Sequence, residues 1–299
     1  MLLPVIAGVD GSPESLAAAE WAAREAVRRD RPLHLVHAWN WQAGRTDGEP
    51  ASAAQRHLAR RALRAAEERV HGAAPGLRTT DEQVEGPATA ALLRAAEQAE
   101  LLVLGSRGLS AFAGLLVGSV ALGVIARSPA PVVLVRAGEE AADGHPPAGG
   151  GASTRTGPLD VVLGIDLADP CDEVLAFAFE AARLRGARLR VVHAWQPASA
   201  IGLGSGDVGL LGASWQAGEW RQFLSAVLRV WRDKYPEVEV LETVVEGRAS
   251  AALVRAASAA SLLVVGRRTA DRPTLPRTGP VTHAAVHHVR CPLAVVPHP

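Results

Sequence analysis

Three glycines and a serine at fixed spacing form the part of this sequence best suited to chemistry. Gly105 and Gly108 are followed, after nine intervening residues, by Gly118 and Ser119. An apolar, strand-like run precedes them and a helix-like run follows, so the glycines occupy turns between a buried strand and the start of a helix. Glycine allows a ligand to approach the main chain closely, and the free amides at a helix start bind anions. The spacing therefore indicates a phosphate-binding turn.

Three polar side chains could take part in such a site. Ser119 offers a hydroxyl donor, Arg107 offers a charged fork for phosphate oxygens, and Asp10 offers a carboxylate suited to a base amine or a ribose hydroxyl. A structural interpretation stays open. A glycine-rich turn taken alone is more often only a turn, and Asp10 precedes Ser12 and Pro13, which fit the N-cap and first position of a helix.

The composition argues against several kinds of partner. The 31 basic and 31 acidic residues give zero net charge, which does not favour nucleic acid or an anionic membrane. The N-terminus lacks the basic segment of an export signal, and no apolar run approaches the ~18 to 20 residues of a membrane helix. Two cysteines provide no disulfide framework. We therefore expect a soluble, cytoplasmic protein that binds neither nucleic acid nor membrane.

The sequence repeats itself at about half its length. Segments early in each half are offset by 156 positions and later segments by 161, which indicates a duplication with a net insertion of five residues, expected within 202–212. A stretch rich in Gly, Pro, Ser and Thr separates the copies. We predict domains at residues 1–137 and 158–299, joined by a linker at 138–157. The anchor pairs include Gly8/Gly164, His37/His193, Glu85/Glu246, Gly105/Gly266 and Val133/Ala294.

Each half alternates strand-like and helix-like segments. This alternation, with apolar strands, predicts an α/β fold with a parallel sheet covered by helices on both faces. Ligands of such doubly wound sheets bind beyond the carboxyl ends of the strands, which is where Asp10, Ala38, Gly105 and Gly118 fall. In the first half, strands are predicted at 3–9, 33–39, 77–84 (a weaker, edge strand), 101–104 and 132–135, and helices at 12–29, 51–70, 87–98 and 119–126.

The glycine spacing resembles the signature Gly-x2-Gly-x9-Gly-[Ser/Thr] of the universal stress proteins, and the tandem repeat resembles their two-domain actinobacterial type. The resemblance implies two Rossmann-like domains, each a five-stranded parallel sheet of order 3-2-1-4-5. In the ATP-binding branch it implies adenine and ribose near Asp10 and Ala38, with the triphosphate along the glycine turns and able to recruit Mg²⁺. The candidate nucleotide-binding residues are Gly8, Val9, Asp10, Ala38, Leu104, Gly105, Ser106, Arg107, Gly108, Gly118, Ser119 and Val120.

The second copy departs from this signature. Thr269 replaces the middle glycine and Pro280 replaces the serine. Proline has neither an amide proton nor a hydroxyl, so two donors are lost where phosphate would lie. We expect the first copy to bind ATP and the second to bind it weakly or not at all. The candidate residues in the second copy are Asp166, Ala194, Gly266, Arg267, Arg268 and Gly279.

Other histidines allow weaker interpretations. His283, His287 and His288 have a helical spacing that could bring two imidazoles together, but no matching Cys, Asp or Glu motif accompanies them, so no metal site is predicted. His37 and His193 are expected to be packed or hydrogen-bonded on their strands. The chain has no Walker A motif, no dinucleotide fingerprint after the first strand and no nucleophile elbow.

Three functions remain open from the sequence. The first is an ATP-binding regulatory protein with little turnover, because phosphate-binding elements occur without an evident catalytic base. The second is an interaction protein in which the glycine turns are vestigial and the closing strands pair, either between the two copies or between chains. The third is a slow ATPase or an adenylyl-transferring protein.

Overall fold

The computed structural model describes residues 2–39, 49–106, 117–138, 159–196, 208–269 and 278–299, with the side chains of 49–55 and 208–215 left aside. In the first half the elements are β1 (Val5–Gly8), α1 (Pro13–Arg29), β2 (Leu33–Trp39), α2 (Glu49–Ala73), β3 (Thr79–Glu85), α3 (Ala88–Ala96), β4 (Leu101–Ser106), α4 (Ser119–Ile125) and β5 (Val132–Arg136). In the second half they are β6 (Asp160–Gly164), α5 (Asp172–Arg185), β7 (Leu189–Trp195), α6 (Val208–Lys234), β8 (Val240–Glu246), α7 (Ala249–Ala256), β9 (Ala260–Arg268), α8 (Pro280–His288) and β10 (Leu293–His298).

The strands form one ten-stranded sheet in the order β3-β2-β1-β4-β5-β10-β9-β6-β7-β8. Within each half every pairing is parallel and the order is 3-2-1-4-5, which confirms the predicted fold class. Apolar layers cover both faces of the sheet: Trp21, Phe179 and Leu224 belong to one, and Ile125 and Val286 belong to the other. No helix in the described part of the chain is long and apolar enough to cross a membrane.

Several sequence predictions concern residues outside the described ranges. Arg107 and Gly108 are among them, as are residues 139–157 of the expected linker and most of the expected insertion at 202–212. The remaining elements of the first half lie where the apolar pattern placed them. Helix α2 begins and ends a few residues beyond the predicted 51–70, and β3 is the edge strand.

The two halves are joined by the antiparallel pairing of β5 with β10. Val133 lies opposite Ala294, which is the same position in the other copy, and Leu134 and Val132 lie opposite Leu293 and Val295. This register relates the halves by a two-fold axis through the central pair, as in an isologous dimer. The closing strands were expected to pair either between the two halves of one chain or between two chains. Pairing between the two halves of one chain is observed. Both edges of each closing strand are therefore hydrogen-bonded within the chain.

Helices α1 and α5 repeat the two-fold relation on one face of the sheet. The guanidinium of Arg29 lies 5.1 Å from the ring centroid of Phe177, and that of Arg185 lies 5.7 Å from the ring centroid of Trp21. Each arginine and each aromatic residue is offset from its counterpart by 156 positions. Each half thus stacks the cation of its last helical turn on an aromatic ring of the other half, an attraction that strengthens when water is excluded.

A buried carboxylate breaks this symmetry. Glu25 is fully buried on α1, and Ala181 occupies the equivalent position on α5. Its oxygens accept hydrogen bonds from Arg29 at 2.8 Å and from Arg185, across the boundary between the halves, at 2.6 Å. Burial alone would raise the pKa of Glu25, but Arg185, Arg29 and Arg28 outweigh it and hold the pKa at about 2. One carboxylate therefore neutralises part of a cluster of guanidinium groups where the halves meet.

On the other face of the sheet, two arginines bind the ends of helices across the same boundary. Arg267, at the end of β9, donates to the carbonyl oxygens of Ala126 (3.2 Å) and Ser128 (2.6 Å), just past α4. Arg136, at the end of β5, donates to the carbonyl of Val286 in the last turn of α8 at 2.9 Å. A cation at this position satisfies terminal carbonyls and complements the helix dipole. Each half thus stabilises the carboxyl end of a helix of the other half.

Replacing Glu25 with glutamine should lower the free energy of unfolding by about 3–5 kcal/mol at neutral pH, because Arg29 and Arg185 would remain buried without their counter-charge. Urea unfolding followed by circular dichroism measures the change. Glu20→Gln on the same helix is the control, because its ion pairs with Arg24 and Arg69 are partly exposed and contribute at most about 1 kcal/mol. Equal losses in the two variants would contradict the role of Glu25.

The same carboxylate makes the stability depend on pH. The pKa of Glu25 falls from an ordinary value of 4.5 to about 2 on folding, so its contribution is complete above 4.5 and is lost as the pH falls towards 2. We expect the stability difference between the wild-type chain and Glu25→Gln to be constant from neutral pH to about pH 5 and to shrink below that. A difference that grows on acidification would show that the sign is wrong.

Candidate functional site

A cavity of about 320 Å³ opens at the carboxyl ends of β1, β2 and β4. The parallel sheet places the ends of these strands side by side, and the starts of α1 and α4 complete the wall. Ser106 does not line the cavity, and its side chain is buried. Arg107 and Gly108 lie outside the described residues. The predicted residues that do meet at the cavity are Gly8, Val9, Asp10, Ala38, Leu104, Gly105, Gly118, Ser119 and Val120.

Asp10 has a structural role as well as a place in the cavity wall. Its Oδ1 accepts hydrogen bonds from the backbone amide (2.9 Å) and the hydroxyl of Ser12. Ser12 is the N-cap of α1 and accepts from the amide of Ser15, with Pro13 at the first helical position. Gly11 between them has a φ of +84°, which favours glycine. The predicted helix start is therefore confirmed, and one oxygen of Asp10 is engaged in forming it.

Gly105 and Gly118, which both line the cavity, have different surroundings. A Cβ on Gly105 would lie 2.5 Å from the carbonyl carbon of Glu14, so the first turn of α1 packs directly on this strand. Gly118 is the N-cap of α4 with an ordinary φ of −58°, and among the described residues nothing lies within 4 Å of a Cβ placed there. Packing thus accounts for Gly105, whereas packing against the described residues does not account for Gly118.

The structure adds residues to the cavity that the sequence reasoning missed. Glu14 brings a second carboxylate from the first turn of α1, and Leu92 brings an apolar wall from α3. The helical spacing of α3 and its place after an edge strand could have indicated Leu92. Glu14 gave no such signal, because the first turn of a helix favours acidic residues in any case. The other additions are Ser12, Ser15, Val36, Ala88, Val117 and Ala121.

A second cavity, of about 520 Å³, lies at the matching strand ends of the second half. Its wall contains all six candidates of that copy, Asp166, Ala194, Gly266, Arg267, Arg268 and Gly279.

The two arginines of this second cavity have other partners. Arg267 is bonded to the carbonyls beyond α4, and burial lowers the pKa of Arg267. Arg268 forms an ion pair with Asp169. The positive charge expected to attract phosphate here is therefore directed elsewhere.

The histidines considered in the sequence analysis make two kinds of contact in the structure. His37 Nδ1 donates to the carbonyl of Val9 at 2.7 Å, and His193 Nδ1 donates to that of Ile165 at 3.2 Å, so both are hydrogen-bonded on their strands as predicted. The rings of His283 and His287 meet edge to face with centroids 4.5 Å apart. Within the described ranges, no group of three or more His, Cys, Asp or Glu side chains is arranged to hold a metal ion.

Known proteins are similar to this chain in sequence or in fold. A universal stress protein of Mycolicibacterium smegmatis is 30% identical, covering 98% of this chain and 96% of its own length. The crystal structure of a universal stress protein from Archaeoglobus fulgidus superposes with a TM-score of 0.73 at 18% identity, covering 98% of both chains. A universal stress protein crystallised in complex with cAMP is 30% identical to this chain, covers 45% of it and 97% of its own length, and has a TM-score of 0.35.

The sequence profile of the Universal stress protein family matches the chain twice, at residues 1–136 and 160–297. These two segments are the two halves that the strand order and the β5–β10 pairing define. The chain therefore belongs to the universal stress protein family, in its tandem form.

Proposed function

We propose that the first cavity binds ATP and that the protein acts as a nucleotide-dependent regulatory module of the stress response. The open space beside Gly118 carries this proposal, because neither its φ nor packing against described residues calls for glycine there. A phosphate against the main chain would call for one. The cavity volume of about 320 Å³ falls in the range typical of small-ligand sites.

Each wall of the cavity suits a different part of the nucleotide. Val36, Ala38 and Leu92 present apolar surface for the base, and Asp10 lies between this surface and the glycine turns. Ser119 and Val120 supply amides at the start of α4, with the Ser119 hydroxyl as a further donor. The carboxylates of Asp10 and Glu14 would repel a bare triphosphate, so we expect the nucleotide to bind with Mg²⁺, whose charge offsets both.

We infer that occupancy rather than rapid turnover is the output of this site. One oxygen of Asp10 is engaged by Ser12 at the start of α1, which suits a positioning role better than that of a mobile base. A bound nucleotide would contact β1, β2, α3 and α4 together. Because Arg267 of the second half holds the other end of α4, ordering α4 would also stabilise the boundary between the halves.

Gly118→Val should weaken ATP binding about 10- to 100-fold, because the new side chain would fill the space for phosphate and cost hydrogen bonds to a charged group. Isothermal titration with Mg-ATP on the full chain measures the affinity. The fold should be preserved, because φ at this position is −58° and described neighbours leave room for a Cβ. Thermal unfolding checks this point.

Gly279→Val is the matched control. Gly279 caps α8 as Gly118 caps α4, with a φ of −57° and no described atom within 4 Å of a Cβ. This variant should bind ATP as the wild-type chain does. Unchanged affinity in Gly118→Val, or equal losses in both variants, would reject the first cavity as the ATP site.

Ser119→Pro tests the donors rather than the space. Proline is well tolerated at the first position of a helix, so α4 should form, but the amide proton and the hydroxyl of Ser119 are lost together. We expect ATP affinity to fall about 10- to 100-fold with little change in thermal stability. The reciprocal variant Pro280→Ser should leave the affinity of the first cavity unchanged. An ATP affinity that survives Ser119→Pro would place the phosphates elsewhere.

A further inference from the structure

The start of α4 belongs to the wall of the first cavity, but the helix itself does little to keep it there. Its N-cap is Gly118, which has no side chain to accept a hydrogen bond, and Ser119 after it is exposed. The first turn has no acidic residue and the last turn no basic residue. A helix of seven residues is too short to be stable alone. Its position therefore depends on contacts with the rest of the chain.

Buried contacts fix α4 near its carboxyl end. Val124 and Ile125 in the last turn are buried, as Ala121 is one turn earlier. Beyond the helix, the amide of Ser128 donates to the carbonyl of Val124 at 2.8 Å, and the Ser128 hydroxyl donates to the carbonyl of Ala130 at 2.7 Å. These bonds close the turn that leads into β5. The end of α4 is thus packed into the core, while its start lies at the cavity.

Arg267 binds this packed end from the second half of the chain. Its guanidinium donates to the carbonyls of Ala126 at 3.2 Å and Ser128 at 2.6 Å, and the residue is only 7% exposed. Burial lowers the pKa of Arg267, and no carboxylate in the described part of the chain forms an ion pair with it. Its counter-charge is the negative end of the helix dipole. Arg127 also donates to α4, to the carbonyl of Gly123 at 3.0 Å, but from an exposed position.

The corresponding helix of the second half is held differently. Arg136 donates to the carbonyl of Val286 in the last turn of α8 at 2.9 Å, but that turn also carries two histidines of its own. The position equivalent to Arg267 in the first half is Ser106, so the two arginines are not copies of each other. Arg267 lines the second cavity, whereas Arg136 is not among the described residues that line either cavity. The two arginines therefore form a matched pair with different consequences.

We propose that Arg267 is a positioning residue for the first cavity. By fixing the carboxyl end of α4, it keeps Gly118 and Ser119 in the place where the nucleotide phosphates bind. The identity of the ligand rests on the proposed function, whereas the hold on α4 does not. Loss of this hold lowers the population of chains with the start of α4 in place, and the apparent affinity falls by the same factor. A residue in the wall of the second cavity thus controls the affinity of the first.

Nucleotide affinity tests the effect of Arg267 across the boundary between the halves. Arg267→Met keeps the apolar stem and removes the donors, and Mg-ATP affinity of the full chain should fall about 5- to 10-fold by isothermal titration. Arg267→Lys keeps the charge and one donating group, so its affinity should lie between these two. Arg136→Met is the control, because it loses the same kind of bond on α8, and its affinity should stay within about twofold of the wild-type chain. Thermal unfolding checks that each variant is folded.

Hydrogen exchange tests the position of α4 without any ligand. The amide of Leu122 donates to the carbonyl of Gly118 at 3.1 Å at the start of the helix, and the amide of Ala126 donates to that of Leu122 at 3.1 Å at its end. In Arg267→Met, exchange measured by NMR should be about tenfold faster at both amides. In Arg136→Met both should exchange as in the wild-type chain, with faster exchange at the end of α8 instead.

The outcomes separate this inference from the proposed function. Faster exchange confined to Ala126 would mean that only the end of α4 frays, and would overturn the positioning role. Equal losses of Mg-ATP affinity in Arg267→Met and Arg136→Met would show a general weakening of the boundary and would overturn it as well, as would unchanged affinity in Arg267→Met. If the wild-type chain does not bind Mg-ATP, the proposed function fails, and exchange at Leu122 decides whether Arg267 positions the start of α4.

Discussion

The antiparallel pairing of β5 with β10 sets the geometry of the whole chain. Each half is a parallel sheet, so all strands of one half run opposite to all strands of the other. The carboxyl ends of the strands therefore point in opposite directions in the two halves. The two cavities, which lie at these strand ends, open on opposite sides of one continuous sheet. Because the two-fold axis crosses the sheet, α1 and α5 share a face and can lock together through Glu25, Arg29 and Arg185.

This arrangement makes α4 connect the cavities. Helix α4 begins at Gly118 in the first cavity, and its carboxyl end is held by Arg267, which lines the second. Helix α8 begins at Gly279 in the second cavity, and its last turn is held by Arg136 at the end of β5. A helix of seven residues is only about 10 Å long, so the wall of the first cavity and the carbonyls that Arg267 binds lie at the two ends of one short helix.

The sequence predicted the local structure well and the long-range contacts poorly. Apolar runs and the Ser12-Pro13 start predicted the strands and α1, because these signals depend on neighbours in the chain. The roles of Glu25 and Arg267 were not predicted, because their partners Arg185 and Ser128 lie more than a hundred residues away. The cavity residues at strand ends were predicted from topology. Glu14 was not predicted, because it lines the cavity only through the close approach of α1 to Gly105.

Duplication explains why the boundary and the cavities have diverged differently. At the boundary each residue meets a counterpart of the other half, so a change in Arg29 or Phe177 disturbs a contact that the two-fold axis has already fixed. Ser119 and Pro280 each begin a helix, away from the strand pairing that joins the halves. The two copies can therefore differ at Ser119 and Pro280, and at Ala137 and His298, with the sheet and its pairing intact. The stable boundary is what allows one fold to carry two unlike cavities in a single chain.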